Sequence, residues 1–141
     1  MCEHKRVLFV DDDAIILRVM RRSLGDVYDV EVANSGQAAL EILSNEGPFD
    51  CLVSDMRMPQ MDGVELVNRV ETGHPRLPCI ILTGNQDEES ELRAKNDCNA
   101  FRLLNKPCPR DEIIESIEDA IRSAENSNPN PIERSRQVTS V

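Results

Sequence analysis

Carboxylates stand at the ends of two apolar runs in this 141-residue chain. Asp11-Asp12-Asp13 follows Val7-Leu-Phe-Val10, and Asp55 follows Cys51-Leu-Val-Ser54, ahead of the proline turn Met56-Arg-Met-Pro-Gln-Met-Asp-Gly63. A third run, Cys79-Ile-Ile-Leu82, ends in the hydroxyl of Thr83, and a fourth, Phe101-Arg-Leu-Leu104, leads to Lys106. If these runs lie side by side, several carboxylates share one cleft, and they ionise together only with a cation between them. Oxygen donors with room for water suit Mg2+, which takes one or two carboxylates along with phosphate oxygens. Lys106 adds a compact positive charge and Thr83 a hydroxyl, both suited to a phosphoryl group. Together this is equipment for accepting a phosphoryl group. The metal and the lysine neutralise the equatorial oxygens while a carboxylate attacks. Asp55 stands alone on its strand end while the triplet can share the metal, so Asp55 is the expected acceptor.

Each residue taken singly has a plainer reading. Asp13 before Ala14 and Asp62 before Gly63 read best as helix caps. A lone Thr83 or Lys106 reads as a loop residue or a solvated charge. The phosphoryl reading rests on their concurrence, with one hydroxyl, one lysine and two acidic sites each at a separate strand end.

The elements that must position these groups follow from pattern. Short apolar runs bounded by turn signals read as buried strands. A helix is expected over Ala14–Leu24, with Ile16, Val19, Met20 and Leu24 inward, Arg18, Arg21 and Arg22 outward, and Gly25 closing it. Val27–Ala33 alternates and reads as a less buried strand. Ser35 caps a helix over Gly36–Asn45 with Ala39, Leu40 and Leu43 on one face, and Gly47-Pro48 breaks it. Asp62-Gly63 introduces a helix carrying Val64, Val67 and Val70. Glu88–Asp97 has few apolar residues beyond Leu92 and Ala94 and is expected to pack loosely. Pro109 opens a last helix, about Arg110 to Ser123, with Ile113, Ile114, Ile117 and Ile121 as its stripe. Strands alternating with helices in this way imply a parallel sheet covered on both faces. Its strands all point one way, so the residues that follow them gather at the edge where such sheets bind ligands.

Composition bounds the rest. A net charge of −10 argues against direct nucleic-acid binding, which needs a basic patch. The five cysteines show no metal-ligand spacing, and Cys51 and Cys79 read as small buried hydrophobes. No signal peptide is evident, and no stretch approaches the roughly 20 apolar residues of a membrane span. A cytoplasmic protein with no membrane association is expected. Residues 5–123 read as the folded domain. Residues 124–141 read as a polar tail or linker, disordered or extending the last helix.

The landmarks, in order, are Val10-Asp11-Asp12, Asp55, Met58-Pro59 with Met61-Asp62-Gly63, Thr83-Gly84 and Lys106-Pro107. Each is weak alone. As an ordered set the chain resembles the receiver domain of two-component response regulators from Arg6 to Ser123. That resemblance implies a flavodoxin-like (βα)5 three-layer sandwich with strand order 2-1-3-4-5. It implies phosphorylation of Asp55 by a sensor histidine kinase or a phosphotransfer protein. Mg2+ would be held by Asp12 and Asp55 directly, by Asp11 mainly through water, and by the backbone carbonyl of Arg57. Thr83 would bond the phosphoryl group, Gly84 would leave it room, Lys106 would pair with it, and the Lys106–Pro107 peptide would be cis. The surface of the fourth helix, last strand and last helix would then change, meeting an output domain, a downstream protein or a second copy of the chain.

The family often places Tyr or Phe three residues before the lysine, as a side chain that swings inward. Leu103 stands there, and Phe101 is expected to share its face of the strand and to substitute in part. The segment Asn99–Pro109 also resembles receivers that precede cyclic-dinucleotide phosphodiesterase modules. Arg57 and Asn85 flank the site where they could admit or block an attacking water. Apart from its own phosphorylation and dephosphorylation, no enzyme activity is expected. Two other readings are kept. One is a degenerate receiver that binds partners without phosphate. The other is a haloacid-dehalogenase-like phosphohydrolase with Asp11 as nucleophile and Asp13 as acid/base; it lacks the hydroxyl required where Ile15 stands and leaves Asp55 without a role.

Overall fold

The computed structural model describes residues 4–84 and 88–126. In chain order the elements are β1 (Arg6–Val10), α1 (Ala14–Leu24), β2 (Asp29–Ala33), α2 (Gly36–Glu46), β3 (Cys51–Asp55), α3 (Gly63–Gly73), β4 (Cys79–Gly84), α4 (Glu88–Asp97), β5 (Arg102–Lys106) and α5 (Arg110–Asn126). The strands form one five-stranded sheet in the order β2-β1-β3-β4-β5, parallel throughout. This is the flavodoxin-like architecture that the resemblance implies.

Strand alternation sorts the core into two layers. Leu8, Val10, Leu52 and Ile81 face α2, α3 and α4, where they meet Ala39, Leu43, Val64, Val67 and Ala94. Val7, Phe9, Val53, Ile80, Leu82 and Leu104 face the other way, onto Leu17 and Leu24 of α1 and Ile113, Ile117 and Ile121 of α5. The middle strands are apolar on both sides because both sides are covered. Cys51 and Cys79 fill space as expected. Burial raises the Cys51 thiol well above its ordinary pKa and pushes Cys79 up to about 12, so both stay protonated and unreactive.

Caps set the helix starts. Asp13 Oδ1 accepts from Ile15 N at 2.9 Å, Ser35 Oγ from Ala38 N at 3.1 Å, and Asp62 Oδ1 from Glu65 N at 2.9 Å. Each satisfies an amide that the helix itself leaves unpaired. The loop from Met56 to Asp62 is anchored by Met56, Met58 and Met61, all buried in the α2–α4 layer. Flexible thioethers fill that irregular space well.

Several details depart from the sequence reading. In α1 the inward residues are Leu17, Met20 and Leu24, while Ile15 and Val19 are 71% and 53% exposed. Apolar residues surround more than half of this helix, so periodicity alone does not fix which arc meets the sheet. Gly25 follows α1 in the right-handed conformation, so its freedom to take a positive φ is not what ends the helix. Strand β2 starts at Asp29 because the amides of Val27 and Tyr28 still bond Leu24 O, at 3.0 and 2.9 Å. Tyr28 instead drops into the core, and its hydroxyl donates to Glu118 Oε2 at 2.6 Å. In α4 only Ser90 and Ala94 are buried, and Leu92 is 61% exposed; the loose packing expected of this helix is present, but without Leu92. Helix α5 runs on to Asn126, and residues 127–141 lie outside the described residues.

Phe101 lies differently from the expectation that it shares a face with Leu103. It precedes β5 and packs on the α1–α5 layer, with the Arg102 guanidinium 5.1 Å from its ring centroid. Leu103 packs on the opposite layer. The two do not share a face, because alternation holds only inside a strand and β5 begins after Phe101. Phe101 therefore does not stand in for the family's aromatic residue.

Gln60 carries a φ of 71° in the loop after β3. That left-handed conformation is unfavourable for a residue with a Cβ and free for glycine. Gln60→Gly is expected to raise unfolding stability by about 0.5–1 kcal/mol, read as a higher urea midpoint at unchanged slope.

Candidate functional site

The sheet order reverses direction at β1, which pairs with β2 on one side and β3 on the other. A crevice opens there beyond the C-terminal ends of the strands. Register sets what lines it. Val10 lies opposite Ser54, so Asp11 and Asp55 emerge side by side. Asp55 lies opposite Leu82 and Gly84 opposite Lys106, which brings Thr83 and Lys106 to the same edge.

The carboxylates converge. Asp11, Asp12 and Asp55 each offer an oxygen, and these atoms lie within 4.8 Å of one another. Asp11 is the buried member, and Asp12 is exposed. Asp11 Oδ1 accepts from Asp13 N at 3.0 Å, which orients its carboxylate toward the crevice rather than the helix. Burial first, then the nearby Asp55 charge, raises the pKa of Asp11 against the opposing pull of the Asp13 amide and Lys106. Lys106 Nζ lies 2.7 Å from Asp55 Oδ1 and 3.5 Å from Asp11 Oδ2. Burial disfavours its charge, but hydrogen bonding to Asp55 and the charges of Asp55 and Asp11 outweigh this and raise its pKa. The ammonium stays protonated at neutral pH.

Thr83 is fully buried, and its Oγ1 has no hydrogen-bond partner. A buried hydroxyl left unpaired costs about 1–3 kcal/mol, so this atom gains from any acceptor brought to the crevice. Gly84 beside it is exposed, and a Cβ there would meet nothing within 4 Å. The Lys106–Pro107 peptide is cis, as the resemblance implies, and so is Gly47–Pro48, which nothing in the sequence signalled.

Not every acid joins the cluster. Asp13 is spent capping α1 and Asp62 capping α3, the plain readings given to both. Arg57 has an exposed side chain on the loop just past Asp55, beside a cavity of about 500 Å3 that Asp62 and Arg93 also line. Asn85 lies outside the described residues. The supporting roles of two residues were not read from the sequence. Ser54 Oγ donates to Asp55 O at 2.9 Å. Gly63 N donates to Met56 O at 2.8 Å, and a Cβ on Gly63 would sit 2.7 Å from Asp55 O. Only glycine lets α3 start this close to the acceptor backbone. The available signals were a serine inside an apolar strand and a glycine directly behind a cap.

Hard oxygen donors at this separation, with a lysine on their flank, fit Mg2+ better than a softer metal. In class, this is a doubly wound α/β module whose switch-point crevice suits a divalent cation and an oxyanion together. Comparison with known proteins narrows the class. The family model described as "Response regulator receiver domain" matches residues 7–118. Response regulator MprA of Mycobacterium leprae (strain TN) is 38% identical over 118 residues, which cover 83% of this chain and 51% of MprA. The chain thus spans about half the length of that relative. A crystal structure of adenylate cyclase from Rhodopirellula baltica superposes with a TM-score of 0.82 at 31% identity, covering 99% of this chain and 100% of that one. The signal receiver domain of an HD domain-containing protein from Pseudomonas fluorescens Pf-5 gives 0.81 at 27% identity, covering 88% and 99%. The chain belongs to the response regulator receiver domains, the receiving modules of two-component signalling. Among the described residues no helix is long and apolar enough to cross a membrane.

The raised pKa of Asp11 has a signed consequence. Between the ordinary carboxylate pKa and the raised one, the folded chain holds more protons than the unfolded chain. Stability therefore falls as pH rises through that window. Asp11→Asn keeps an acceptor for the Asp13 amide and removes the buried charge. In the absence of divalent cations it is expected to stabilise the fold at pH 7 by about 0.5–2 kcal/mol and to flatten this part of the pH–stability curve, both measured by urea unfolding.

Proposed function

We propose that this receiver is a phosphoacceptor switch in which Asp55 takes a phosphoryl group from a sensor histidine kinase or a phosphotransfer protein. The carrying observation is the convergence of Asp55 with Asp11, Asp12 and Lys106 at one sheet edge. Mg2+, held by Asp12 and Asp55, by Asp11 mainly through water, and by the Arg57 carbonyl, would offset negative charge on the phosphoryl oxygens. An Asp55 carboxylate oxygen attacks phosphorus, the new O–P bond forms, and the bond from phosphorus to the donor's imidazole nitrogen breaks. Lys106 Nζ, already on Asp55, turns to a phosphoryl oxygen. Thr83 Oγ1 donates to another and so ends its unpaired state.

The added charge then biases two arrangements of the chain. The face formed by α4, β5 and α5 is the surface we assign to output: a linked domain, a downstream protein or a second copy of the chain. A cyclic-dinucleotide phosphodiesterase module is retained among the outputs on the support of the Asn99–Pro109 segment. Residues 5–123 are proposed as the signalling unit, residues 124–141 as tail or linker, and the compartment as the cytoplasm. The haloacid-dehalogenase alternative loses its acid/base, because Asp13 is turned to the α1 amides.

For the donor, the outer face of α1 is the proposed dock. Ile15 and Val19 lie one turn apart and exposed, with Arg18 and Arg22 along the same strip, directly after the acidic crevice. In a chain of net charge −10 this apolar, basic strip fits an acidic partner helix.

Intact mass after treatment with acetyl phosphate tests the central claim. Wild type with Mg2+ is expected to gain one phosphoryl group, and Asp55→Asn none. No gain in wild type would favour a phosphate-independent binding module. A gain that survives Asp55→Asn but not Asp11→Asn would favour the hydrolase. Separately, joint Ile15→Asp and Val19→Asp changes should slow transfer from a kinase that serves wild type by about tenfold or more. The reaction with acetyl phosphate should be untouched by that pair.

A further inference from the structure

Helix α4 is attached unlike its neighbours. Of its ten residues only Ser90 and Ala94 are buried, so apolar packing contributes little to its position. Polar bonds to α3 and its surroundings do more. Two of them lie at the end far from the crevice: Asn68 Nδ2 donates to Asp97 O at 3.0 Å, and Asn99 Nδ2 donates to Glu71 Oε1 at 2.9 Å. At mid-helix Arg93 forms an ion pair with Asp62.

Asp62 is itself held fast. It caps α3, and the next residue, Gly63, is bonded to Met56 O and packed against Asp55 O. Arg93 therefore grips a residue tied to the acceptor's own backbone. The pair itself lines the open cavity of about 500 Å3, with Met56–Pro59 on one side and Glu89 and Arg93 of α4 on the other. The near half of α4 thus has room to move without breaking an apolar core. Arg93 would not be stranded by such a move, because Asp97 Oδ2 lies 3.8 Å from its Nε on the same helix.

We propose that the Asp62–Arg93 ion pair is a latch that holds α4 in its resting position, and that its release favours the phosphorylated arrangement. The proposal rests on the phosphoacceptor reading above and adds the contact through which α4 is coupled to the Asp55 backbone. It gives this chain a coupling element in a family position set where Leu103 replaces the usual aromatic side chain. By linkage, whatever weakens the latch must also tighten the site's hold on a phosphoryl mimic.

Asp62→Asn removes the charge and keeps the cap, since Asn caps about as well as Asp. Arg93→Gln removes the other partner, and Arg93→Lys preserves the charge. Beryllofluoride with Mg2+ serves as the phosphoryl mimic, with binding measured by calorimetry and α4 followed through the Ala94 methyl signal in NMR. Asp62→Asn and Arg93→Gln should each tighten beryllofluoride binding about two- to fivefold, the range for a partly exposed ion pair. In the unloaded variants the Ala94 signal should move toward its position in loaded wild type. The double variant should add nothing to either single change, and Arg93→Lys should behave nearly as wild type. Unchanged affinity with an unmoved Ala94 signal, or strictly additive effects, would overturn the latch. Wild type that takes neither beryllofluoride nor acetyl phosphate would overturn the phosphoacceptor reading as well, an outcome distinct from a normal wild type with indifferent variants.

Discussion

Three carboxylates and one ammonium share the end of this sheet, and the rest of the structure is arranged around holding them there. Lys106 bridges Asp55 and Asp11 and so offsets part of their mutual repulsion. A single lysine does not neutralise the three acids that converge, and the raised pKa of Asp11 comes first from its burial and then from the nearby Asp55 charge. Asp11 and Asp12 follow β1 and Asp55 is the last residue of β3, so the acids sit at the rim of the sheet rather than in its interior. Ser54, Gly63 and the Asp13 amide hold the neighbouring backbone and side chains in place. A site that is under-compensated at rest is also one that gains from a cation and an oxyanion, so the same imbalance serves binding.

Attachment of the helices is uneven, and the unevenness has a direction. Helix α5 carries a full apolar stripe and is tied further by Tyr28 to Glu118, by Arg102 to Ser116 and Asp119, and by Arg110 to Ser23 O and Asp26. Helix α4, on the other layer, buries two small residues and depends on polar contacts. Under the proposed switch, a change at the crevice that costs little free energy would be expressed where the structure is held least. Among the described helices the best candidate is α4, the next element in chain order after the strand bearing Thr83. Leu103 packs on this same layer, while Phe101 is committed to the opposite one. Under the proposed switch, movement of α4 would be governed by contacts other than a swinging aromatic ring.

Much of this was legible in the chain itself. The apolar runs were short, separated by helical patterns and followed by chemically distinctive residues, so strand positions and the members of the crevice could be read before any coordinates. Asp13, Ser35 and Asp62 were identifiable as caps because cap chemistry is local: a side-chain oxygen meets an amide two or three residues on. Boundaries were less legible where tertiary contacts overrode pattern. Tyr28 is kept out of the expected strand by its amide's bond to Leu24 O and seated by its hydroxyl's bond to a residue 90 positions away, and Phe101 fell just outside β5, which reversed the face inferred for it.

What the sequence determined by itself was local and periodic: the elements, their caps, the alternation that makes a doubly wound sheet, and the identity of Asp11, Asp12, Asp55, Thr83 and Lys106 as strand-end groups. What only the tertiary structure decided was non-local. Register placed Asp11 against Asp55 and put Lys106 across both. Packing chose Leu17 over Val19 as the inward residue of α1. The meeting of α3 and α4 joined Asp62 to Arg93. Periodicity reports a residue's relation to its own element, whereas these outcomes depend on how separate elements stack and on which charges the stacking brings within a few ångströms.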